Sequence, residues 1–216
     1  MRNLFFGMLL LSFGAWADNE AVSTTTSEEE VQIEQPAIMD PYKAWMGVQT
    51  GMAISNASLE ALPTTQRVGF SVGAFYEAPL LPGFLYLQPE ISFVQKGAYN
   101  TFFGADSARF NYIEVPLLAK VKFILPRIRP FALAGVGLGY MVGASNSAGT
   151  AMTGLNPFEI SLILGGGLAF ELGEGPDSTQ LNFSARFSRS LNRLDSKPGN
   201  SGWTSNVFSL LVGIQV

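Results

Sequence analysis

From Ala44 onward the chain alternates apolar and polar residues with period two, in segments of a dozen or so residues set apart by turn-forming residues. Eight such segments are legible, at 44–55, 67–78, 84–97, 110–123, 129–141, 158–172, 179–190 and 203 to the end. In the fourth, Ile113, Val115, Leu117, Ala119, Val121 and Phe123 share one face and oppose Tyr112, Glu114, Lys120 and Lys122. In the sixth, Phe158, Ile160, Leu162, Leu164, Leu168, Phe170 and Leu172 oppose Glu159, Ser161, Gly165, Gly167 and Glu171. The fifth is mixed: Gly135, Gly137 and Gly139 lie opposite Ala132, Ala134, Val136, Leu138 and Tyr140, but Phe131 and Leu133 share the glycine face. Period two marks β-strands, so the pattern predicts eight of them.

The connections alternate in length. Those at 56–66, 98–109, 142–157 and 191–202 are long and rich in Asn, Ser, Gly and Thr, whereas 79–83, 124–128 and 173–178 are short. Tight turns at one end and longer loops at the other describe an up-and-down meander of the outer-membrane type. Two further features separate this from a soluble sandwich. The apolar face carries no charge in the first six segments, and the polar face is rich in glycine and small residues, as a narrow closed lumen requires. Each segment has the roughly 9–11 residues that a tilted strand needs to cross hydrocarbon. The predicted fold is therefore all-β, an eight-stranded antiparallel transmembrane barrel over 44–216. Its even strand number puts both chain termini of the barrel on the same, periplasmic, side.

Charge then acquires a location. Glu77, Glu90, Lys96, Glu114, Lys120, Lys122, Arg129, Glu159, Glu171 and Arg186 fall on the inward face, five acids against five bases. Buried charge persists when paired or hydrated, so these ten residues are expected to form a salt-bridge network. A register that sets Glu90 opposite Lys120 and Lys96 opposite Glu114 would join third and fourth strands through two opposite-charge pairs. Pro89 lacks a backbone donor and should mark a gap or bulge in the ladder.

The N-terminus reads as a targeting segment. Arg2, an apolar run from Leu4 to Phe13 and the sequence AWA predict a secretory signal at 1–17 cut after Ala17, too short to span a bilayer as a helix. Residues 18–43 are acidic and poor in aromatics, including the run Glu28 to Glu30, and read as a flexible periplasmic linker. The chain has a net charge of −4, which becomes −5 once Arg2 is removed with the signal, and no basic cluster, which argues against a nucleic-acid partner. It contains no cysteine and no histidine. Disulfides, Cys or His metal sites and Ser-His-Asp catalysis are thereby excluded, and no cofactor is expected.

The segments YLQPEISFVQKGA and NYIEVPLLAKVKF, followed by RPFALAGVGLGYMVG, resemble an outer-membrane β-barrel family that includes PorT-like proteins. The resemblance covers about 44–216 and implies an eight-stranded barrel in a Gram-negative outer membrane, with no single biochemical role. Such barrels commonly end in an aromatic residue read by the insertion machinery, whereas this chain ends in Val216. The expected partners are outer-membrane lipid, that insertion machinery, and an envelope protein met through the loops or the linker. Two roles compete: a structural or interaction barrel acting through external loops that hold Phe102 and Phe103, and a narrow channel for ions or small solutes. An enzyme is not expected, because no catalytic constellation is specified.

Overall fold

The computed structural model describes residues 42–58, 65–101, 105–123, 125, 128–146, 148–151, 155–172, 178–193 and 204–216. The signal segment, the linker up to 41, and Phe102 and Phe103 lie outside the described residues. Eight strands follow in chain order: β1 (Trp45–Ser58), β2 (Thr65–Leu81), β3 (Leu85–Thr101), β4 (Ala105–Lys122), β5 (Ile128–Asn146), β6 (Phe158–Leu172), β7 (Thr179–Ser190) and β8 (Thr204–Gln215). Each pairs antiparallel with its neighbour, and β1 pairs with β8 to close the barrel. The seam is completed by the last residue, where Met46 and Val216 exchange backbone hydrogen bonds of 3.1 and 2.9 Å. Closure leaves no free strand edge among the described residues, as hydrocarbon demands, and among them there is no second sheet for a sandwich.

Burial is inverted relative to a soluble protein. Met46, on the outer wall, is 62% exposed, while Lys120, on the inner wall, is 2% exposed. Val48, Val72, Ile91, Val115, Leu138, Leu162, Phe183 and Leu210 continue that apolar exterior around the strands. Tyr42, Tyr76, Phe84 and Phe123 are exposed near the end that carries the barrel termini, and Tyr99, Tyr140 and Phe158 near the opposite end. These aromatics sit where a lipid-spanning wall meets its two interfaces. The ends are called near and far below, the near end holding Trp45 and Gln215.

Turn chemistry sets the near end. Pro82 and Gly83 occupy the centre of the turn between β2 and β3, Gly83 has φ +75°, and Phe84 donates to the Leu81 carbonyl at 3.0 Å. Proline then glycine with a positive φ is the type II arrangement. At the far end the strands run further than period two alone indicates. The connection expected over 98–109 is largely ladder, with Tyr99 opposite Ser107 and Thr101 opposite Ala105. β1 likewise reaches Ser58, β2 starts at Thr65 and β5 reaches Asn146. Past the lipid both faces are wet, so hydrophobic alternation fades while backbone pairing continues.

The register of β3 and β4 differs from expectation by four residues. Lys120 faces Tyr86, not Glu90, and Glu114 faces Ser92, not Lys96. At Pro89 the β2–β3 partners pass from Phe75↔Glu90 directly to Ala78↔Leu87 without a change of register. The ladder is thus interrupted there without a bulge. Register shifts occur instead between Gln66 and Ser71, between Pro79 and Leu81, and between Asn111 and Tyr112.

The outer wall makes a direct prediction. Leu164, midway along β6 and half exposed on the outer wall, changed to lysine should cost about 2–4 kcal/mol for refolding into bilayers. Urea titrations of folding into lipid vesicles measure this, and a cost near zero would contradict a lipid-facing exterior.

Candidate functional site

The lumen is where the sequence concentrates its chemistry. Inward residues of each strand alternate with the lipid-facing ones, so side chains from all eight strands meet on the barrel axis. The ten charged residues expected there are all engaged in ion pairs, in three groups along the axis.

At the near end Glu77 on β2 is fully buried and receives two lysines of β4. Lys120 Nζ donates to its Oε2 at 2.8 Å, and Lys122 pairs with its Oε1. Both lysines reach across the inner face of β3. Their charge is further accommodated by aromatic faces: Lys122 lies 4.6 Å from the Tyr86 ring and 5.9 Å from Trp45, and Lys120 lies 4.2 Å from Phe131. Beside them Arg129 pairs with Glu171 at 3.3 Å, and Ser178 Oγ donates to the second oxygen of Glu171 at 2.9 Å. A neutral chain of amides continues the layer, with Asn182 donating to Gln215 at 2.7 Å and Gln215 to Gln180 at 2.8 Å.

The middle group spans the barrel. Arg186 on β7 donates through Nη1 to both oxygens of Glu90 on β3, at 3.0 and 2.8 Å, and through Nη2 to Gln49 Oε1 at 3.1 Å. Gln49 Nε2 donates to Glu90 Oε2 at 2.8 Å, and Gln88 Nε2 to Oε1 at 2.5 Å. Glu90 therefore accepts four hydrogen bonds, which is the capacity of a carboxylate. In a closed order of eight, β3 and β7 are opposite walls. At the far end Lys96 on β3 bridges Glu114 at 2.5 Å and Glu159 at 2.6 Å. Glu114, Gly139 and Glu159 are direct neighbours across β4, β5 and β6, so the two carboxylates reach over a glycine to one ammonium.

Of the two pairs expected between β3 and β4, Lys96 and Glu114 do meet, diagonally, because long side chains span the four-residue offset. Glu90 and Lys120 do not: Glu90 is held by Arg186, and Lys120 by Glu77. The interior also holds apolar groups that simple alternation hides. Leu118, Phe131, Leu133, Ile163 and Ala169 form one cluster inside the barrel, and Ala53, Val94 and Val207 another. The glycines of β5 and β6, read from sequence as room in the lumen, make way for these side chains. A Cβ on Gly167 would lie 2.6 Å from Phe131 Cζ, one on Gly137 would lie 2.7 Å from Ser161 Oγ and 3.1 Å from Ile163 Cδ1, and one on Gly139 would lie 3.4 Å from Tyr112 Cδ1. Trp45, whose inward position continues the parity of Gly47 and Gln49, is 3% exposed and fills the near mouth. Between the middle and far groups is a cavity of about 40 Å³ lined by Ser71, Ser92, Ser188 and Ser209 among others. It suits a few waters at about 10–15 Å³ each.

The groups differ in depth, and that difference is measurable. Arg186→Met strands a saturated, buried carboxylate and should cost about 3–5 kcal/mol. Arg129→Met breaks a pair whose side chains keep 22% and 19% exposure, and should cost under about 1 kcal/mol. Unfolding midpoints followed by heat-modifiable gel migration compare the two, and equal costs would contradict the layering.

Comparison with solved structures supports this architecture. A neisserial surface protein, NspA, superimposes with TM-score 0.52 at 17% identity, over 79% of this chain and 96% of that one. OprG of Pseudomonas aeruginosa matches with TM-score 0.49 at 10% identity, over 81% and 95% of the two chains. Ail, the attachment invasion locus protein of Yersinia pestis, matches with TM-score 0.44 at 18% identity, over 81% and 99%. At 17% identity what NspA shares with this chain is the fold. No curated protein matches the sequence. The family model described as outer membrane protein beta-barrel domain matches residues 32–196, which takes in β1 to β7. With an eight-stranded closed barrel, an apolar exterior and a charge-filled lumen, the chain belongs to the outer membrane protein beta-barrel domain family.

Proposed function

We propose that the protein is a sealed outer-membrane barrel, neither pore nor enzyme, whose work is done by the surface it presents at its far end. The near end, with the acidic linker, faces the periplasm in this reading, and the far end faces outward. The observation that carries it is the clamp of Gln49, Glu90 and Arg186 across the lumen. A guanidinium tied at once to β3 and β1 from β7 obstructs the axis, and Phe131 and Tyr112 occupy the space that glycines vacate above and below it.

The far end is organised as a support for contacts. Asn192 donates to the Phe158 carbonyl at 2.7 Å and accepts from the Ile160 N–H at 2.7 Å, extending β7 along β6. Asn146 anchors a turn by accepting from Thr150 N at 2.9 Å, with Gly149 at φ +78°. Phe158, Leu191 and Tyr140 are exposed on this rim. An envelope protein or surface ligand meeting the rim is the kind of partner this arrangement suits. The segments YLQPEISFVQKGA and NYIEVPLLAKVKF favour the PorT-like branch of the family. A non-catalytic role fits carboxylates held by cations and a chain without histidine.

A narrow channel is the second reading, favoured by the serine-lined cavity beside the clamp. Planar-bilayer recording decides between them. The refolded full barrel should give no reproducible conductance steps, while steady unit conductance, enlarged in Arg186→Ala, would establish the channel instead.

A further inference from the structure

The outer wall is apolar around the barrel but not uniform. On β6, β7, β8 and β1 the outward residues form rows of cross-strand partners. One row is Leu164, Phe187, Phe208 and Ile54, and another is Leu168, Phe183, Val212 and Thr50. Between them runs Gly166, Ala185, Leu210 and Met52. Small residues at Gly166 and Ala185 between bulky neighbours leave a groove of about 580 Å³. The groove lies midway along all four strands, deep in the hydrocarbon. Its one hydroxyl is already used, Thr50 Oγ1 donating to the Ser71 carbonyl at 3.1 Å.

Three of these strands, β7, β8 and β1, carry a polar row towards the far end, next to Leu162 on β6. Arg189 on β7 is paired in register with Asn206 on β8, which faces Asn56 on β1. By strand parity all three point outward with Phe187, Phe208 and Ile54, and Arg189 is exposed. Arg189 is four residues from Ala185, about 13 Å along the strand. At a tilt near 45° that is about 9 Å of depth, against about 12 Å from the middle of the apolar band to its edge. A long arginine side chain snorkels across the remaining few ångströms, about 3 Å, so the guanidinium reaches headgroup level while the groove is in hydrocarbon.

We propose that Arg189, Asn206 and Asn56 with the groove beneath them bind one anionic, phosphate-bearing lipid, its phosphate on the guanidinium and carboxamides and an acyl chain between the two ridges. Charge complementarity and depth select this occupant. A second barrel would bring no phosphate to Arg189. The inference rests on the outward orientation above only for naming the external leaflet, and its test uses no conductance. Arg109, exposed and outward at the far end of β4, provides a control: below it the wall is the unbroken Ile113, Val115 and Leu117.

Native mass spectrometry of the full barrel refolded in detergent should detect phosphatidylglycerol retained over phosphatidylcholine of the same chain length. Arg189→Gln should lower phosphatidylglycerol retention about fivefold, the effect of one basic residue at an anionic surface, and leave phosphatidylcholine unchanged. Ala185→Leu, which adds bulk where a Cβ already faces lipid, should weaken both lipids, with Thr50→Phe as a second groove-filling variant. Arg109→Gln should match wild type. Folding of each variant is verified by heat-modifiable migration. Retention unaffected by Arg189→Gln, an equal loss in Arg109→Gln, or retention indifferent to both groove variants would overturn the proposal.

Discussion

The structure depends on one carboxylate that cannot be left alone. Glu90 is 5% exposed and lies inside a barrel whose outer wall is hydrocarbon-facing. An ion so placed is tolerable when its oxygens are saturated, and here four hydrogen bonds from three side chains, on β1, β3 and β7, saturate them. The backbone ladders hold each strand to its neighbours only. The Glu90 group joins walls that no ladder connects, and the Lys96 bridge does the same between β3 and β6. β3 is consequently the strand through which the circumference is braced.

Charge is nearly balanced over the lumen, where Arg67, buried on the inner face of β2 and donating to the Ala108 carbonyl at 3.3 Å, adds a sixth base to the five acids and five bases. It is not balanced within each group. Two lysines share Glu77 at the near end, and two glutamates share Lys96 at the far end. The near-end surplus of cation is softened by its surroundings. The near-end lysines lie against Trp45, Tyr86 and Phe131, and Lys96 lies 4.8 Å from the Tyr112 ring. Aromatic faces attract ammonium groups without adding charge. This explains why large rings occupy an interior that simple patterning would fill with polar residues.

Strand positions and the two faces were legible because lipid outside and water-like chemistry inside impose strict alternation. Residues such as Ile113, Val115 and Leu117 have no alternative address. The inward location of all ten charged residues follows from the same parity. Their partners were not legible. Pairing within a sheet is a matter of adjacency, but Arg186 and Glu90 are 96 positions apart and meet only because the barrel closes. The β3–β4 register was misjudged because it is set by a far-end hairpin whose ladder runs on into water, beyond the reach of hydrophobic periodicity. Phe131 and Leu133, which break alternation in β5, marked the apolar interior cluster, though nothing local showed that Leu118 and Ile163 would join it.

The glycine run of β6 connects the inside of the barrel to its outside. Gly165 and Gly167 face inward, where a Cβ on the first would lie 2.6 Å from the Ala185 carbonyl oxygen and one on the second 2.6 Å from the Phe131 ring. The β7 backbone at Gly165, and that backbone together with the Phe131 ring at Gly167, thus require both to be glycine. Gly166 faces outward between them, and a Cβ there would sit 3.0 Å from the Phe131 carbonyl oxygen, because β5 and β6 approach closely at this point. The depression on the outer wall is therefore not an independent feature. It follows from the close approach of the β5 backbone to β6, at the level where the Phe131 ring lies against Gly167 inside. The carbonyl that crowds Gly166 belongs to the backbone of Phe131, so a smaller side chain there would open the lumen and leave the groove in place.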